Sequence, residues 1–572
     1  MKKLLKYLKA YQLQSILAPL FKMTEALFEL FIPLLVARVI DIGIANNDIP
    51  LIIKICILLG CLALMGLICS VTAQYFSAKA AIGFTSKIRH VLYSHIQSLS
   101  YTELDSIGTS TLITRLTSDM NQVQNGVNLT LRLFLRSPFI VFGAMIMAFT
   151  IDKKAALLFL GTICLLSVII FGIILGCIPL YNKIQSSLDE LLSITRENLS
   201  GIRVIRAFCN ENEETHEFKN SNKNLTDLQN FTGKISALMN PLTFIVVNIA
   251  IIILIYTGAI EVNKGTLTQG AVVALYNYMS QILVELIKLA NLIITITKSV
   301  ACGNRIQAVL EIESSIINPE NSIVCEDSEY IIEVKNASLR YKNSPQCALE
   351  NISFKVRKGE TVGIIGGTGS GKTSIVNMIA GFYTAQSGKV LYKNKNISDY
   401  PLKQLRDSFG IVPQKAVLFK GTLRDNIKWG CPDANDTDIV KALDTAQAKE
   451  IFEQKQGGLD FMIEQGGKNL SGGQRQRLTI ARAVIKQPEI LILDDSSSAL
   501  DYITDSKLRK AIRNIDPSPT VFLVSQRTSS VMYADKILVI DDGRIVGQGQ
   551  HDDLLKSCDI YKEIYDSQFS KG

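Results

Sequence analysis

Gly366-Gly367-Thr368-Gly369-Ser370-Gly371-Lys372-Thr373 stands between an apolar run, Thr361 to Ile365, and a helix-compatible run, Ser374 to Gly381. Strand, glycine-rich turn and helix in that order make a phosphate-binding loop. The glycines let backbone N–H groups wrap phosphate oxygens at a helix N-terminus, where Lys372 offsets the β and γ charge and Thr373 offers Mg²⁺ a hydroxyl. Further on, Glu489-Ile490-Leu491-Ile492-Leu493-Asp494 reads as a buried strand ending in a carboxylate, the place for a metal-binding aspartate.

Upstream of this region the composition changes. At 572 residues the chain exceeds one hydrophobic core, and its first three hundred residues hold most of the long apolar runs. A crossing of about 30 Å of hydrocarbon needs roughly 20 mostly apolar residues. Six segments meet that need approximately, near 16–40, 51–73, 133–151, 155–181, 237–260 and 268–297. The first carries Glu25 and Glu29 and no small-residue cleavage site follows it, so it reads as a retained anchor. Lys2, Lys3, Lys6 and Lys9 precede it, whereas Asp41 to Pro50 has no basic residue, which puts the amino terminus in the cytosol. Six crossings return the chain there, so the soluble half is cytosolic too.

The expected domains are a membrane all-α domain over 1–304, a link over 305–329 and an α/β phosphate-loop ATPase domain over 330–572. The net charge of +8 is spread over 60 basic and 52 acidic residues, too dilute for a nucleic-acid surface. Eleven cysteines, Cys325 among them, show no metal-like spacing and read as small, reduced, apolar residues.

Between the phosphate loop and Asp494 lies Leu470-Ser471-Gly472-Gly473-Gln474-Arg475-Gln476-Arg477. With it the domain resembles the nucleotide-binding domain of ATP-binding cassette (ABC) transporters, whose signature Leu470 to Gln474 match. The resemblance implies ATP and Mg²⁺ as cofactors. It also implies two domains meeting head to tail, each signature closing over ATP on the partner's loop. Ser471, Gly472, Gly473 and Gln474 would form a second anion site at a helix start. By the same resemblance Tyr341 stacks on adenine, Gln414 senses Mg²⁺ and faces the membrane domain, and Asp501 couples the two ATP sites.

Two positions depart from the family pattern. After Asp494 the family has a glutamate that polarises the attacking water; this chain has Asp495, a shorter arm. Misplacements of ~1 Å cost on the order of a hundredfold in rate. The switch histidine is replaced by Gln526, which can hydrogen-bond the γ-phosphate but cannot titrate. The signature is intact, so the chain resembles the degenerate-site member of a heterodimeric exporter, with a homodimer as the alternative.

The membrane half resembles exporter-type ABC proteins through Gly108 to Asp119 and Glu197 to Phe208, which places short coupling helices near 109–116 and 210–217. Glu25 and Glu29 share one face of the first helix. An unpaired charge in mid-bilayer costs at least ~3 kcal/mol, so they either meet cationic or amphipathic cargo or pair with Lys22, Glu285 or Lys288 neighbours. The expectation is ATP-driven export of a small amphipathic or hydrophobic substrate, multidrug-type, across a bacterial plasma membrane. Lipid or peptide export, and a non-pumping channel or regulatory subunit, are the rivals.

Overall fold

The computed structural model describes residues 1, 3–316, 318–319, 323, 328–342 and 344–569. They form two compact units, residues 1–95 with 110–311 and residues 96–109 with 312–572.

The first stretch of chain is helical: α1 (Gln12–Arg38), α2 (Ile49–Ser98), short α3 (Tyr101–Ile107), α4 (Met120–Leu133), α5 (Arg136–Ile151), α6 (Lys153–Ser200), short α7 (Ile202–Ala207), α8 (Glu211–Ala237), α9 (Met239–Asn263) and α10 (Gln269–Leu310). All but α3 and the last turn of α2 lie in the first unit, and its core joins α5, α6 and α10 through Ala144, Ala148, Phe159, Leu166, Tyr278 and Ile282. Small residues at such contacts let helices approach closely. A Cβ on Gly143, for instance, would lie 2.4 Å from the Leu30 side chain. The outward faces carry Leu157 and Val168, each 71% exposed, as suits helices whose solvent is lipid. Asp152 and Thr268 cap α6 and α10 by accepting from the Ala155 and Ala271 N–H groups.

Among the described residues five helical stretches are long and apolar enough to cross a membrane: Ile49–Ser98, Thr109–Ile151, Lys153–Ser200, Glu211–Asn263 and Gln269–Leu310. The expected sixth, α1, is long enough, but every 18-residue stretch of it contains Lys22, Glu25 and Glu29, so charge and not length sets it apart from the other five. Those charges are paired. Lys22 Nζ lies 2.5 Å from Glu25 and also donates to Ser70 Oγ at 2.9 Å. Glu29 accepts two bonds from Arg136, at 2.7 and 2.9 Å. Arg136 in turn holds Glu285 at 2.6 Å, and Glu285 also accepts from Ser137 and Lys288, each at 2.8 Å. Glu25 thus meets Lys22, one of the expected neighbours, whereas Glu29 meets Arg136, which went unread in the sequence.

Helix α10 runs to Leu310, through the start of the link expected at 305–329. Residues 317, 320–322 and 324–327 of that link, Cys325 included, lie outside the described residues. The ten described cysteines are free thiols. Two short helices stand just before the stretches expected to couple, 109–116 and 210–217. Helix α3 ends at Gly108, whose φ of 80° stops it, and residues 109–114 already begin the next helix. Helix α7 is bounded by Gly201 and by Cys209 at φ 55°, and Glu211 opens the long α8. Composition alone does not reveal these breaks.

In the second unit an antiparallel sheet orders β2 (Leu349–Arg357), β1 (Tyr330–Leu339) and β4 (Ser387–Tyr392). A six-stranded sheet orders β9 (Arg544–Gly549), β8 (Lys536–Asp541), β3 (Thr361–Gly366), β7 (Thr520–Val524), β6 (Ile490–Asp494) and β5 (Phe409–Val412), parallel except for edge strand β9. Its inner strands are buried on both faces, which is why β3, β6 and β7 read as continuous apolar runs. Helices α11 (Lys372–Ile379), α12 (Gly472–Val484), α13 (Tyr502–Arg513) and α14 (Asp559–Phe569) complete the parts used below.

Candidate nucleotide site

Ligand sites of parallel sheets open beyond the carboxyl ends of the strands. Here the register aligns Val524 of β7 with Ile364 of β3 and with Asp494 of β6. The next residues therefore emerge side by side. Asp495 N–H donates to the Val524 carbonyl at 3.0 Å, and Ser525 N–H to that of Ile364 at 3.1 Å.

At the end of β3 the chain must turn tightly. A Cβ on Gly366 would sit 2.0 Å from the Ile540 carbonyl oxygen, so only glycine fits there, and Gly371 at φ 105° starts α11 from a conformation other residues avoid. Lys372 folds back over the loop, donating to the carbonyls of Gly366 at 3.0 Å and Gly367 at 2.5 Å. Burial lowers its pKa, against the pull of Asp495 and Asp494. A phosphate arriving here would take over those lysine hydrogen bonds.

Thr373 Oγ1 donates toward both Asp494 oxygens, at 3.2 and 3.1 Å. Burial raises the Asp494 pKa, only partly offset by the Thr373 bond. A hydroxyl, a carboxylate and the nearby Gln414 amide are hard oxygen donors of the kind Mg²⁺ takes. Among the described residues no cluster of three His, Cys, Asp or Glu side chains could cage a metal unaided.

These groups share one cavity of about 440 Å³. It brings together Tyr341, Thr368, Gly369, Gly371, Lys372, Thr373, Gln414, Asp494, Asp495 and Gln526. Gly366 and Ser370 are buried in the loop, and Gly367 is exposed on it. Tyr341 is fixed by its hydroxyl, 3.0 Å from Ser374 Oγ. Asp495 has a φ of 46°, a left-handed conformation that Asp tolerates better than most residues. Gln414 Nε2 points to its carboxylate at 3.5 Å. The sequence reading missed Asp542 and Gly543, which also line the cavity. Their Asp-Gly pair signals a tight turn between β8 and β9, with nothing to show that the turn backs the phosphate loop.

Ser471, Gly472, Gly473, Gln474 and Asp501 are not part of this cavity. Ser471 caps α12 by a reciprocal pair: its Oγ accepts from Gln474 N–H at 3.2 Å, and its own N–H donates to Gln474 Oε1 at 3.0 Å. Asp501 caps α13, accepting from Thr504 N–H at 3.0 Å, and that bond holds its carboxyl below the usual range. A Cβ on Gly473 would be 3.0 Å from the Ala499 carbonyl, so the two cap regions adjoin.

The family described as ABC transporter transmembrane region matches residues 15–286, and that described as ABC transporter matches residues 349–498. The uncharacterised ABC transporter ATP-binding protein YfiB of Bacillus subtilis is 34% identical over all of this chain and 99% of its own. An ATP-dependent lipid A-core flippase of Syntrophus aciditrophicus is 29% identical, over 85% of this chain and 80% of that one. A bacterial Atm1-family ABC exporter solved with ATP bound has the same fold, with a TM-score of 0.82 and 20% identity over 99% of both chains. Helical membrane half, phosphate-loop half and full-length relatives agree: the chain belongs to the ABC transporter family, an ATPase coupled to transport across the membrane.

Proposed function

We propose that this chain is one half of a heterodimeric exporter, with six crossings, a cytosolic amino terminus and ATP domain, and a bacterial plasma membrane as its site. Its cargo is a small amphipathic or hydrophobic molecule. Lipid is a specific second reading, supported by the relative named as a lipid A-core flippase.

The observation that carries this reading is an asymmetry. Asp495 and Gln526 both line the chain's own cavity, whereas the well-capped Ser471 to Gln474 segment lies outside it. The own site thus has a short carboxylate and no imidazole, while the signature is formed and available to a partner's phosphate loop. Lys372 and the loop N–H groups hold the phosphates, Tyr341 stacks on the base, and Asp501 sits at the boundary between sites. Thr373, Asp494 and Gln414 would hold Mg²⁺, which when bound offsets charge between the β- and γ-phosphates. A retracted Asp495 orients water poorly, so this site keeps ATP as a clamp.

Each bound ATP shifts the inward-to-outward equilibrium only by its differential affinity for the closed state, so binding without cleavage still drives closure. Hydrolysis at the partner's loop, under this chain's Ser471 and Gly473, resets the transporter. The test is steady-state ATPase activity in lipid, alone and with a neighbouring ABC half-transporter. Activity only in the mixture, lost when the partner's catalytic glutamate is changed but kept when Asp495 is changed, supports the heterodimer. Full activity from this chain alone would establish a homodimer.

A further inference from the structure

The loop after β7, which carries Gln526 to the cavity, is gripped from the far end of the sequence. Gln568 Nε2 donates to the Gln526 carbonyl at 2.8 Å, and Gln568 Oε1 accepts from Thr528 N–H at 2.8 Å. One carboxamide therefore spans Arg527, and the carbonyl on one side and N–H on the other fix which way it points. Helix α14 delivers it. Tyr561, Ile564 and Gln568 fall on one face at helical spacing. Tyr561 is fully buried with its hydroxyl 2.8 Å from His551 Nδ1, and Ile564 packs on the core of the larger sheet. On the loop's other side the Arg527 guanidinium reaches the carbonyls of Ser498 and Leu500, at 3.4 and 3.5 Å. Gln568 itself is exposed, so its contribution is the two bonds and not core packing.

We propose that Gln568 is a positioning residue for Gln526, so that α14 sets how far the Gln526 side chain reaches toward the terminal phosphate of ATP in this chain's own site. The proposal rests on the reading that Gln526 meets the γ-phosphate. ADP lacks that phosphate, so the grip tunes discrimination between ATP and ADP rather than nucleotide affinity in general.

The test uses the full-length transporter in lipid, photolabelled with 8-azido-ATP and read on this chain's own band, with unlabelled ATP or ADP as competitor. Gln526→Ala should lower the preference for ATP over ADP by about tenfold to a hundredfold, the scale of one hydrogen bond to a charged group. Gln568→Ala should lower it by about threefold or more, with ADP competition unchanged. Gln568→Glu, which keeps an acceptor for Thr528 but sets a carboxylate oxygen against the Gln526 carbonyl, should lower it at least as far as alanine does. The double variant should lose no more than Gln526→Ala alone. Equal weakening of ATP and ADP by Gln568→Ala, or a wild-type preference, overturns the proposal. An unchanged preference in Gln526→Ala overturns the reading beneath it, and the proposal with it.

Discussion

The hydroxyl of Tyr383 donates to the carboxylate of Asp105, joining the phosphate-loop side of the ATP domain to α3, 278 positions earlier in the chain. Tyr101 of the same short helix packs its ring 4.8 Å from Phe382 and 6.2 Å from Tyr383. Tyr383 also meets Tyr341 edge-on at 5.0 Å. The base-stacking candidate and α3 thus touch the same tyrosine. Burial, then the Asp105 bond, pushes the Tyr383 hydroxyl well above its ordinary pKa, so it stays a donor at neutral pH.

Removing that donor should loosen α3. Tyr383→Phe is expected to speed amide exchange over residues 101–107 about tenfold, the scale of a hydrogen bond to a charged group. Hydrogen-exchange mass spectrometry of the transporter in lipid reads this directly. Unchanged exchange would mean that the aromatic packing alone holds the helix.

On the proposed clamp reading, lengthening the arm at residue 495 should quicken hydrolysis there. Asp495→Glu is expected to raise turnover at this chain's loop by about tenfold or more, since rate falls steeply with misplacement of the catalytic group. Phosphate release, with the partner's site disabled, measures it. The left-handed backbone at 495 opposes the change, because glutamate is less at ease there than aspartate.

Asp494 gives a pH test with a definite sign. Its folded pKa is raised, first by burial, so its ionised form opposes folding. That cost is absent below the ordinary carboxylate range and fully present above the raised value. Asp494→Asn should therefore raise the melting temperature of the nucleotide-free ATP domain at neutral pH by on the order of 2 °C. The gain should vanish in acid, and Mg²⁺-dependent ATP binding should weaken at the same time. Calorimetry across pH would show a flat difference if burial of this carboxylate were without cost.

Arg136 bridges Glu29 and Glu285 inside the first unit. Arg136→Ala removes both bonds to Glu29 and leaves Glu285 with only Ser137 and Lys288, and should cost about 1.5–3 kcal/mol, the scale of a lost hydrogen bond to a charged group. Arg136→Met combined with Glu29→Gln and Glu285→Gln should recover most of the loss. Thermal stability in lipid decides between them.

How far the fold could be read ahead depends on how local its signals are. The phosphate loop and the strands on either side of it are consecutive in sequence, and their period and glycine placement were legible. So were the long apolar helices, because lipid demands length and composition above all. What stayed hidden is what depends on distant pairing. Arg136 beside Glu29, Gly543 behind Gly371 and Gln568 beneath Gln526 each join residues with no shared local pattern. The short helices α3 and α7 also went unread, since a positive φ at Gly108 or Cys209 leaves little trace in a polar run.

Residues 96–109 belong with the ATP domain although the chain on both sides of them runs with the first unit. The transporter therefore cannot be recombined at a single seam near residue 312. A chimera that exchanged only the carboxy-terminal half would set a foreign surface against Tyr101 and Asp105, whereas one that carried α3 along with Phe382 and Tyr383 would keep the seat intact. Inheritance of those two short stretches should accordingly be linked, and a change in one should select for a matching change in the other.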